Sequence, residues 1–393
     1  MIDKIKQLSK EFLPEIIRIR RYIHQHPELS FNEYKTAEFI QSELTKIGIP
    51  FTSGHINTGI IGTIEGKDPN SKTILLRADI DALPIQEEND IEYKSTNDGV
   101  MHACGHDAHS ASLLGSALIL NQLKNDFSGT IKLLFQPAEE KLPGGAKLLI
   151  DEGVIKKINP DSCIAQHVYP ELPVGKVGFK KGVYMASTDE LHVTVKGKGG
   201  HAALPHQLID PVLISAQIIV GLQQIISRSN NPITPSVLSF GYVDAKGATN
   251  VIPNNVSIKG TFRTFDEQWR EEAHLKMIKM ATSIAKSMGG SCDFEIKKGY
   301  PFLINDEEVT SLAIDAAQKY LGEENVVPLD LRMTAEDFAY LSHEYPSCFY
   351  RLGTANENKK SNLHTPKFDI DESSLEIGAG LFSFIAIQQL SKS

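Results

Sequence analysis

What is scarce in this chain narrows its class before any motif is read. Cysteine occurs only at Cys104, Cys163, Cys292 and Cys348, far apart and without paired spacing, which argues against a disulfide framework and suits a reducing cytoplasm. Any special cysteine is then a chemical one. Long apolar runs are missing too: the nearest approach to a membrane-spanning helix is Leu375 to Leu390, which carries Glu376 and paired glutamines and falls short of the roughly 20 apolar residues a bilayer requires. Met1 to Arg21 scatters charges through its apolar positions and offers no signal-peptide core, so a cytoplasmic protein with no membrane partner is expected. There is no basic excess. With 40 basic against 49 acidic residues the net charge is −9, which speaks against nucleic acid as a partner and favours a small molecule. Neither repeats nor low-complexity linkers are visible.

What is present is an average globular composition, 41% hydrophobic and 23% charged, in a chain of 393 residues. A single core stops growing at roughly 250 to 300 residues, so two domains are expected. Helical periodicity at 5–24 and 33–47 alternates with short β-branched runs at 59–65 and 73–78; helix 109–123, strand 130–136, helix 145–152 and strand 162–167 follow. Such alternation predicts an α/β architecture with a mostly parallel sheet, whose ligands collect at the carboxyl ends of the strands. From about Ser187 the order becomes strand 190–196, helix 211–227, strands 237–244 and 256–264, helix 267–287 and strand 293–298. That βαββαβ order is the signature of a ferredoxin-like unit. Residues 187–300 therefore read as an inserted domain, and residues 1–186 with 301–393 as a discontinuous catalytic domain closed by helices 307–321 and 335–343, strand 347–352 and a terminal helix.

The densest chemistry lies in Met101-His102-Ala103-Cys104-Gly105-His106-Asp107-Ala108-His109, where a thiol, three imidazoles and a carboxylate precede a helix. Lone histidines and cysteines are usually packing residues. Here Cys104 and His106 flank a flexible glycine and can face one ion from a loop, with donor chemistry suited to zinc, manganese or cobalt. Gln136-Pro137-Ala138-Glu139-Glu140 follows an apolar strand. An isolated Glu-Glu pair would ordinarily be a solvated strand end; at a strand's carboxyl end one carboxylate can serve a metal and the other act as general base. In Arg77-Ala78-Asp79-Ile80-Asp81-Ala82-Leu83-Pro84 the alternating aspartates point to one side, fit either to orient a metal ligand or to cap a turn. His167, at the end of strand 162–167, and His364, in Asn362-Leu363-His364-Thr365-Pro366, are individually weak signals that gain value from their positions on strand-end loops.

Together with Arg21-Tyr22-Ile23-His24-Gln25-His26-Pro27-Glu28-Leu29-Ser30, Gly199 to Ala202, Asn250 to Pro253 and Met333 to Phe338, these stretches resemble the aminoacylase and carboxypeptidase family of co-catalytic metallopeptidases. Within it they are most similar to the amidohydrolase branch of hippurate hydrolases, N-acyl-amino-acid deacylases and auxin-conjugate hydrolases. The resemblance covers essentially the whole chain. It implies two divalent metal ions, manganese or zinc with cobalt or nickel also compatible, held by Cys104, His106, Glu140, His167 and His364. Glu139 would be the general base toward a metal-activated water and Asp81 the supporting carboxylate. Many relatives carry a histidine ligand where Asp79 stands, a departure typical of the amidohydrolase branch.

The implied reaction is hydrolysis of the amide of an N-acyl amino acid, with a dipeptidase or carboxypeptidase as the alternative, disfavoured by Asp79. An inactive metal-binding protein is a third reading, whose mark would be loss of the proton-transfer carboxylate; Glu139 is present. The inserted domain would act as lid and dimerisation element of a homodimer. From it His201, in Lys198-Gly199-Gly200-His201, would donate to the developing oxyanion, and Asn250 and Arg263 would hold the substrate carboxylate or backbone.

Overall fold

The structure, a computed structural model, describes residues 1–357, 359 and 361–391. The chain divides into two compact units, one made of Met1–Tyr184, Ile304–Asp330 and Asp337–Ser393, the other of Met185–Leu303 with Leu331–Glu336. The last segment joins the second unit because Ala186 N donates to Arg332 O at 3.0 Å and Arg263 Nη1 donates to Met333 O at 3.2 Å.

The first unit is built on an eight-stranded sheet in the order 51–55, 59–65, 130–136, 73–79, 162–173, 347–355, 177–179, 326–328. Its four central strands, Thr130–Gln136, Thr73–Asp79, Ser162–Pro173 and Ser347–Ala355, run parallel, and Phe51–His55 with Gly59–Glu65 adds an antiparallel margin. The central strands are buried nearly end to end, as a sheet covered on both faces requires. Beyond its polar first turn helix His106–Leu123 is largely apolar without a polar face, and it is buried except at Leu118, Asn121 and Gln122. Such a helix must lie inside. It packs against the sheet and against helices Ile2–Gln25 and Ser374–Ser391. Gly115 permits the close approach: a Cβ there would stand 2.6 Å from Ile16 Cδ1 and 2.8 Å from Ala379 Cβ.

The helix expected at 335–343 starts only at Ala339 and runs to Glu344, and near the site two details of the sequence expectation change. The helix begins at His106 rather than His109, because Gly105 at φ +84° takes the left-handed conformation at its N-cap and starts the first turn three residues early. His106 and His109 thereby fall at i and i+3 on one face. His167 does not end its strand, since parallel pairing with Ser347–Ala355 carries Ser162–Pro173 six residues further. It still reaches the rim, because the neighbouring strand Thr73–Asp79 pairs with it only as far as Arg77↔Ala165.

The second unit is a four-stranded antiparallel sheet in the order 236–244, 255–264, 189–196, 291–298, with helices Pro211–Gln224 and Glu267–Ser287. Period-two burial along Asp189–Lys196 puts Leu191, Val193 and Val195 into a core with Ile214, Ile218, Leu222, Phe262 and Met277. Asp210 and Asp266 start the two helices by accepting from Val212 N at 2.8 Å and Trp269 N at 2.8 Å. Among the described residues the one helix long and apolar enough to cross a membrane, by length and composition alone, is Pro211–Ser229 rather than Leu375 to Leu390. Its Ile214, Ile218, Leu222 and Ile225 lie in the core of this unit, while Leu213 and Val220 are exposed.

Candidate metal centre and active site

The first turn of helix His106–Leu123 supplies the centre of the site. His106 Nδ1 lies 3.2 Å from Asp81 Oδ1, so an ionised Asp81 accepts a hydrogen bond from Nδ1 and leaves Nε2 as the nitrogen turned to the site. That Nε2 is buried with no hydrogen-bond partner, 3.8 Å from Asp79 Oδ2 and 4.0 Å from Glu140 Oε1. Burial works against charge on this ring, but Asp79, Asp81 and Glu140 prevail and push its pKa up to about 10. The carboxylate field at Nε2 thus favours a cation.

His167 is fixed in the same sense. Its Nδ1 donates to Val168 O at 2.8 Å, which turns Nε2 toward Cys104 Sγ at 3.4 Å. Burial and the Arg351 guanidinium hold its pKa well below the usual imidazole range, so the ring is neutral and available as a ligand. His364 closes the other side, with Nε2 3.3 Å from Cys104 Sγ and 3.2 Å from Glu140 Oε1. Its φ of +60° and the bond from its amide to Ala103 O at 2.8 Å set that direction. With its side chain 52% accessible, His364 lies at the open edge of the cluster.

Cys104 is the most telling member. Burial and the nearby Glu140, Glu139 and Asp79 carboxylates push its thiol far above the ordinary range. Only a neighbouring cation can make a thiolate there, as a coordinating metal does. Ligand atoms of Cys104, His106 and His167 lie within 4.8 Å of one another, as do those of Cys104, Glu140 and His364 and those of His106, Glu139 and Glu140. A buried, unpartnered His106 Nε2, two rings locked to present Nε2, and a sulfur donor fit one or two soft-to-borderline divalent ions.

Glu139 and Glu140 follow strand Thr130–Gln136 on a tight loop. Glu139 N and Glu140 N donate to Asp81 Oδ1 at 3.1 Å and Oδ2 at 3.0 Å, and Ser30 Oγ donates to Asp81 Oδ2 at 2.6 Å. Asp81 therefore links the His106 ring to the Glu139-Glu140 backbone. Glu139 is 6% exposed. Beside it Asp337 accepts from Arg77 Nη2 at 2.8 Å, Gln136 Nε2 at 2.8 Å and Ala146 N at 2.9 Å.

Other members of the densest motif are engaged elsewhere. His109 is close enough to Asp79 and His106 to suggest a ligand, yet its Nδ1 donates to Asp79 Oδ1 at 2.6 Å and its Nε2 accepts from Val168 N at 2.9 Å. Both nitrogens are spent. Asp107 belongs to a buried network with Arg20 Nε at 2.7 Å and His24 Nδ1 at 2.8 Å. The structure thus brings together seven of the residues named from sequence: Asp81, Cys104, His106, Glu139, Glu140, His167 and His364.

The remaining three belong to the second unit. His201 pairs with Val251 between two short strands, is exposed, and accepts from Ala203 N through Nδ1 at 3.1 Å. Asn250, exposed, accepts from Ala202 N through its carbonyl at 3.0 Å, and Arg263 is the donor to Met333 O. Sequence reasoning gave no role to Ser30, Glu33, Gln136 or Asp337. Ser30, Gln136 and Asp337 lie inside quoted motifs; nothing local distinguishes Glu33.

Residues 75–388 match the model of peptidase family M20/M25/M40. The chain belongs to that family. It is 44% identical to an N-acyl-L-amino acid amidohydrolase of Geobacillus stearothermophilus over 78% of this chain and 82% of the relative. It is 39% identical to thermostable carboxypeptidase 2 of Saccharolobus solfataricus over 99% and 98%. Among solved structures, the Bacillus subtilis YXEP protein, a dinuclear metal binding peptidase from the M20 family, superposes with a TM-score of 0.84 at 35% identity, covering 98% of this chain and 100% of that one. This M20 chain is a hydrolase, and the α/β fold expected from its periodicity is the fold of its relatives.

Proposed function

We propose that this M20 chain hydrolyses the amide bond of N-acyl amino acids at a two-metal centre held by Cys104, His106, Glu140, His167 and His364. The observation that carries the reading is the convergence of His106 Nε2, His167 Nε2 and Cys104 Sγ, with both rings locked by Nδ1 bonds to Asp81 and Val168. Divalent ions supply Lewis acidity and acidify water when bound. Glu139 takes the proton of the attacking water on a carboxylate oxygen as the new C–O bond forms. It then returns that proton to the departing nitrogen as the C–N bond breaks, giving a carboxylate and an amine. Asp81 keeps the Glu139 amide and the His106 ring in one register throughout.

The second unit would serve as lid and dimerisation element of a homodimer. Exposed Leu213, Val220 and Leu275 on its two helices are apolar surface of the kind a second copy covers. From this unit His201 would donate to the oxyanion, across the dimer, and Arg263 and Asn250 would hold the substrate carboxylate or backbone. Mixed dimers of His201→Ala and Glu139→Gln chains would regain activity if His201 acts in trans. Four free thiols, three of them buried, support a cytoplasmic setting.

The test is a panel of N-acetyl amino acids, N-benzoyl amino acids and dipeptides assayed on apoprotein reloaded with manganese, zinc, cobalt or nickel. Turnover of N-acyl amino acids above dipeptides is expected, and only after metal is restored. The 39% identical carboxypeptidase favours a second reading, peptide hydrolysis from the carboxyl end. A consistent preference for peptides would replace the first reading with it.

A further inference from the structure

Three consecutive amides of the loop that carries Glu139 end on two buried carboxylates. Ala138 N donates to Glu33 Oε1 at 2.9 Å, Glu139 N to Asp81 Oδ1 at 3.1 Å and Glu140 N to Asp81 Oδ2 at 3.0 Å. The Asp81 bonds are local to the metal centre. The Glu33 bond comes from an element 105 residues away in sequence, and it grips the one peptide of the loop that is strained.

Ala138 has φ +53°, the left-handed region that costs a non-glycine residue roughly 1 kcal/mol or more. A strained residue persists only where its surroundings over-determine it. Here the Glu33 carboxylate holds the Ala138 amide while Gly145 N donates to Ala138 O at 2.9 Å, so both ends of the residue are pinned. Gly145 has no room for a side chain, since a Cβ would lie 1.8 Å from Pro137 O. Glu33 is itself over-determined: fully buried, it also accepts from Phe31 N at 2.9 Å and from Thr58 Oγ1 at 2.8 Å. Phe31 is a second non-glycine residue in the left-handed region, at φ +71°.

The position makes this use notable. Glu33 is the N-cap of helix Tyr34–Ile47, where a carboxylate ordinarily serves the free amides of its own helix. It makes no such bond. Its oxygens are turned away from the helix, one toward two strained backbone residues and the other toward Thr58. We propose that Glu33 is a positioning residue for the reaction: by holding the Ala138 amide it fixes the left-handed turn and so aims the Glu139 carboxylate. This rests on the reading of Glu139 as the base.

The role needs an acceptor oxygen rather than a charge. Burial, reinforced by Asp81, pushes the Glu33 pKa up to about 7, and the carbonyl oxygen of a neutral carboxyl accepts amides as a carboxylate does. Glutamine can therefore replace it, with Oε1 on Phe31 N and Ala138 N and its amide group donating to the Thr58 hydroxyl. Alanine cannot. Without the acceptor, Ala138 N is left unpartnered in a buried site and the turn relaxes toward ordinary φ, carrying Glu139 out of line. A misplacement of about 1 Å at a reacting group costs on the order of 10²-fold in rate.

The experiment compares wild-type, Glu33→Ala, Glu33→Gln and Glu139→Gln enzymes, loaded with manganese and assayed with N-acetyl-L-methionine, alongside hydrogen exchange at the Ala138 amide. The expected result for Glu33→Ala is a kcat loss of roughly 10- to 100-fold with KM within about threefold, metal content retained, and Ala138 exchange accelerated. Glu33→Gln should recover most of the lost kcat and the slow exchange. An Ala138 amide that exchanges in wild-type protein as fast as an open loop overturns the proposal, and does so even if the alanine variant fails to fold. Equal kcat in the alanine and glutamine variants overturns it as well. Activity retained in Glu139→Gln would instead remove the base assignment, while the exchange data on Glu33 would stand separately.

Discussion

Asp79 accepts a hydrogen bond from His109 Nδ1 at 2.6 Å, and both side chains are buried. The other Asp79 oxygen takes Arg77 Nη1 at 2.7 Å, so the carboxylate is spent on two buried partners and is held well below the usual range, burial opposing and His106, His109 and Arg77 favouring its charge. Through His109 it reaches Val168 N, the amide next to His167. Asp79 is thus the foot of a chain that ends beside a proposed ligand.

Replacing Asp79 with asparagine should be costly. The amide keeps the shape but leaves Arg77 with less negative charge in a buried site, and its NH2 group can drive His109 to the other tautomer, setting Nε2–H against the Val168 N–H. Breaking a buried charge pair this way costs roughly 3 to 5 kcal/mol. Urea unfolding of the metal-free protein measures it; a loss below about 1 kcal/mol would mean that Asp79 is not holding this chain together.

Glu139→Gln should leave metal content near that of wild type and remove most activity, because Oε1 can still accept while no proton can be taken. General-base catalysis contributes about 10²- to 10⁴-fold, or roughly 3 to 5 kcal/mol. Retention of more than about a tenth of kcat, measured with metal content verified on the same sample, would exclude Glu139 as the base.

Cys104→Ala should lower metal occupancy and rate together. Burial and three carboxylates hold the thiol protonated unless an ion is beside it, and its removal deletes a donor that faces both His167 and His364. Elemental analysis after dialysis against limiting zinc is the check. Full loading of both sites would show that sulfur is not a ligand.

How much of this is legible in the sequence depends on how local each cause is. Helix Glu267–Ser287, helix Glu307–Leu321 and strand Thr130–Gln136 begin and end where their periodicity does, because amphipathic faces long enough to repeat declare themselves. Strands Phe51–His55, Val177–Phe179 and Val326–Pro328 escape such a reading, since three to five residues at a sheet margin carry no period. The ligand cluster can be named because thiol, imidazole and paired carboxylates are chemically rare at strand ends. Glu33 reads in the sequence only as the first residue of a helix. Its partner Ala138 lies in another element, and no pattern in one sequence announces a side chain that turns away from its own helix.

Glu33 also gives a pH dependence whose sign can be fixed. Its folded pKa, raised to about 7 by burial and then by Asp81, lies above the ordinary carboxylate value of 4.5. Below that ordinary value Glu33 is protonated whether the chain is folded or not, and its stabilising contribution is fully present. As pH rises toward 7 the unfolded chain releases the proton freely while the folded chain must ionise a buried group facing Asp81, so stability is lost across that window. Glutamine at this position cannot titrate. The difference in unfolding free energy, wild type minus Glu33→Gln, should therefore fall by roughly 1 to 3 kcal/mol between about pH 4.5 and pH 8. Urea titrations of both metal-free proteins at matched ionic strength measure it, because titrating groups that do not interact with Glu33 cancel in the difference. A difference that stays flat across the window would mean that Glu33 ionises in the folded protein as it does in the unfolded one.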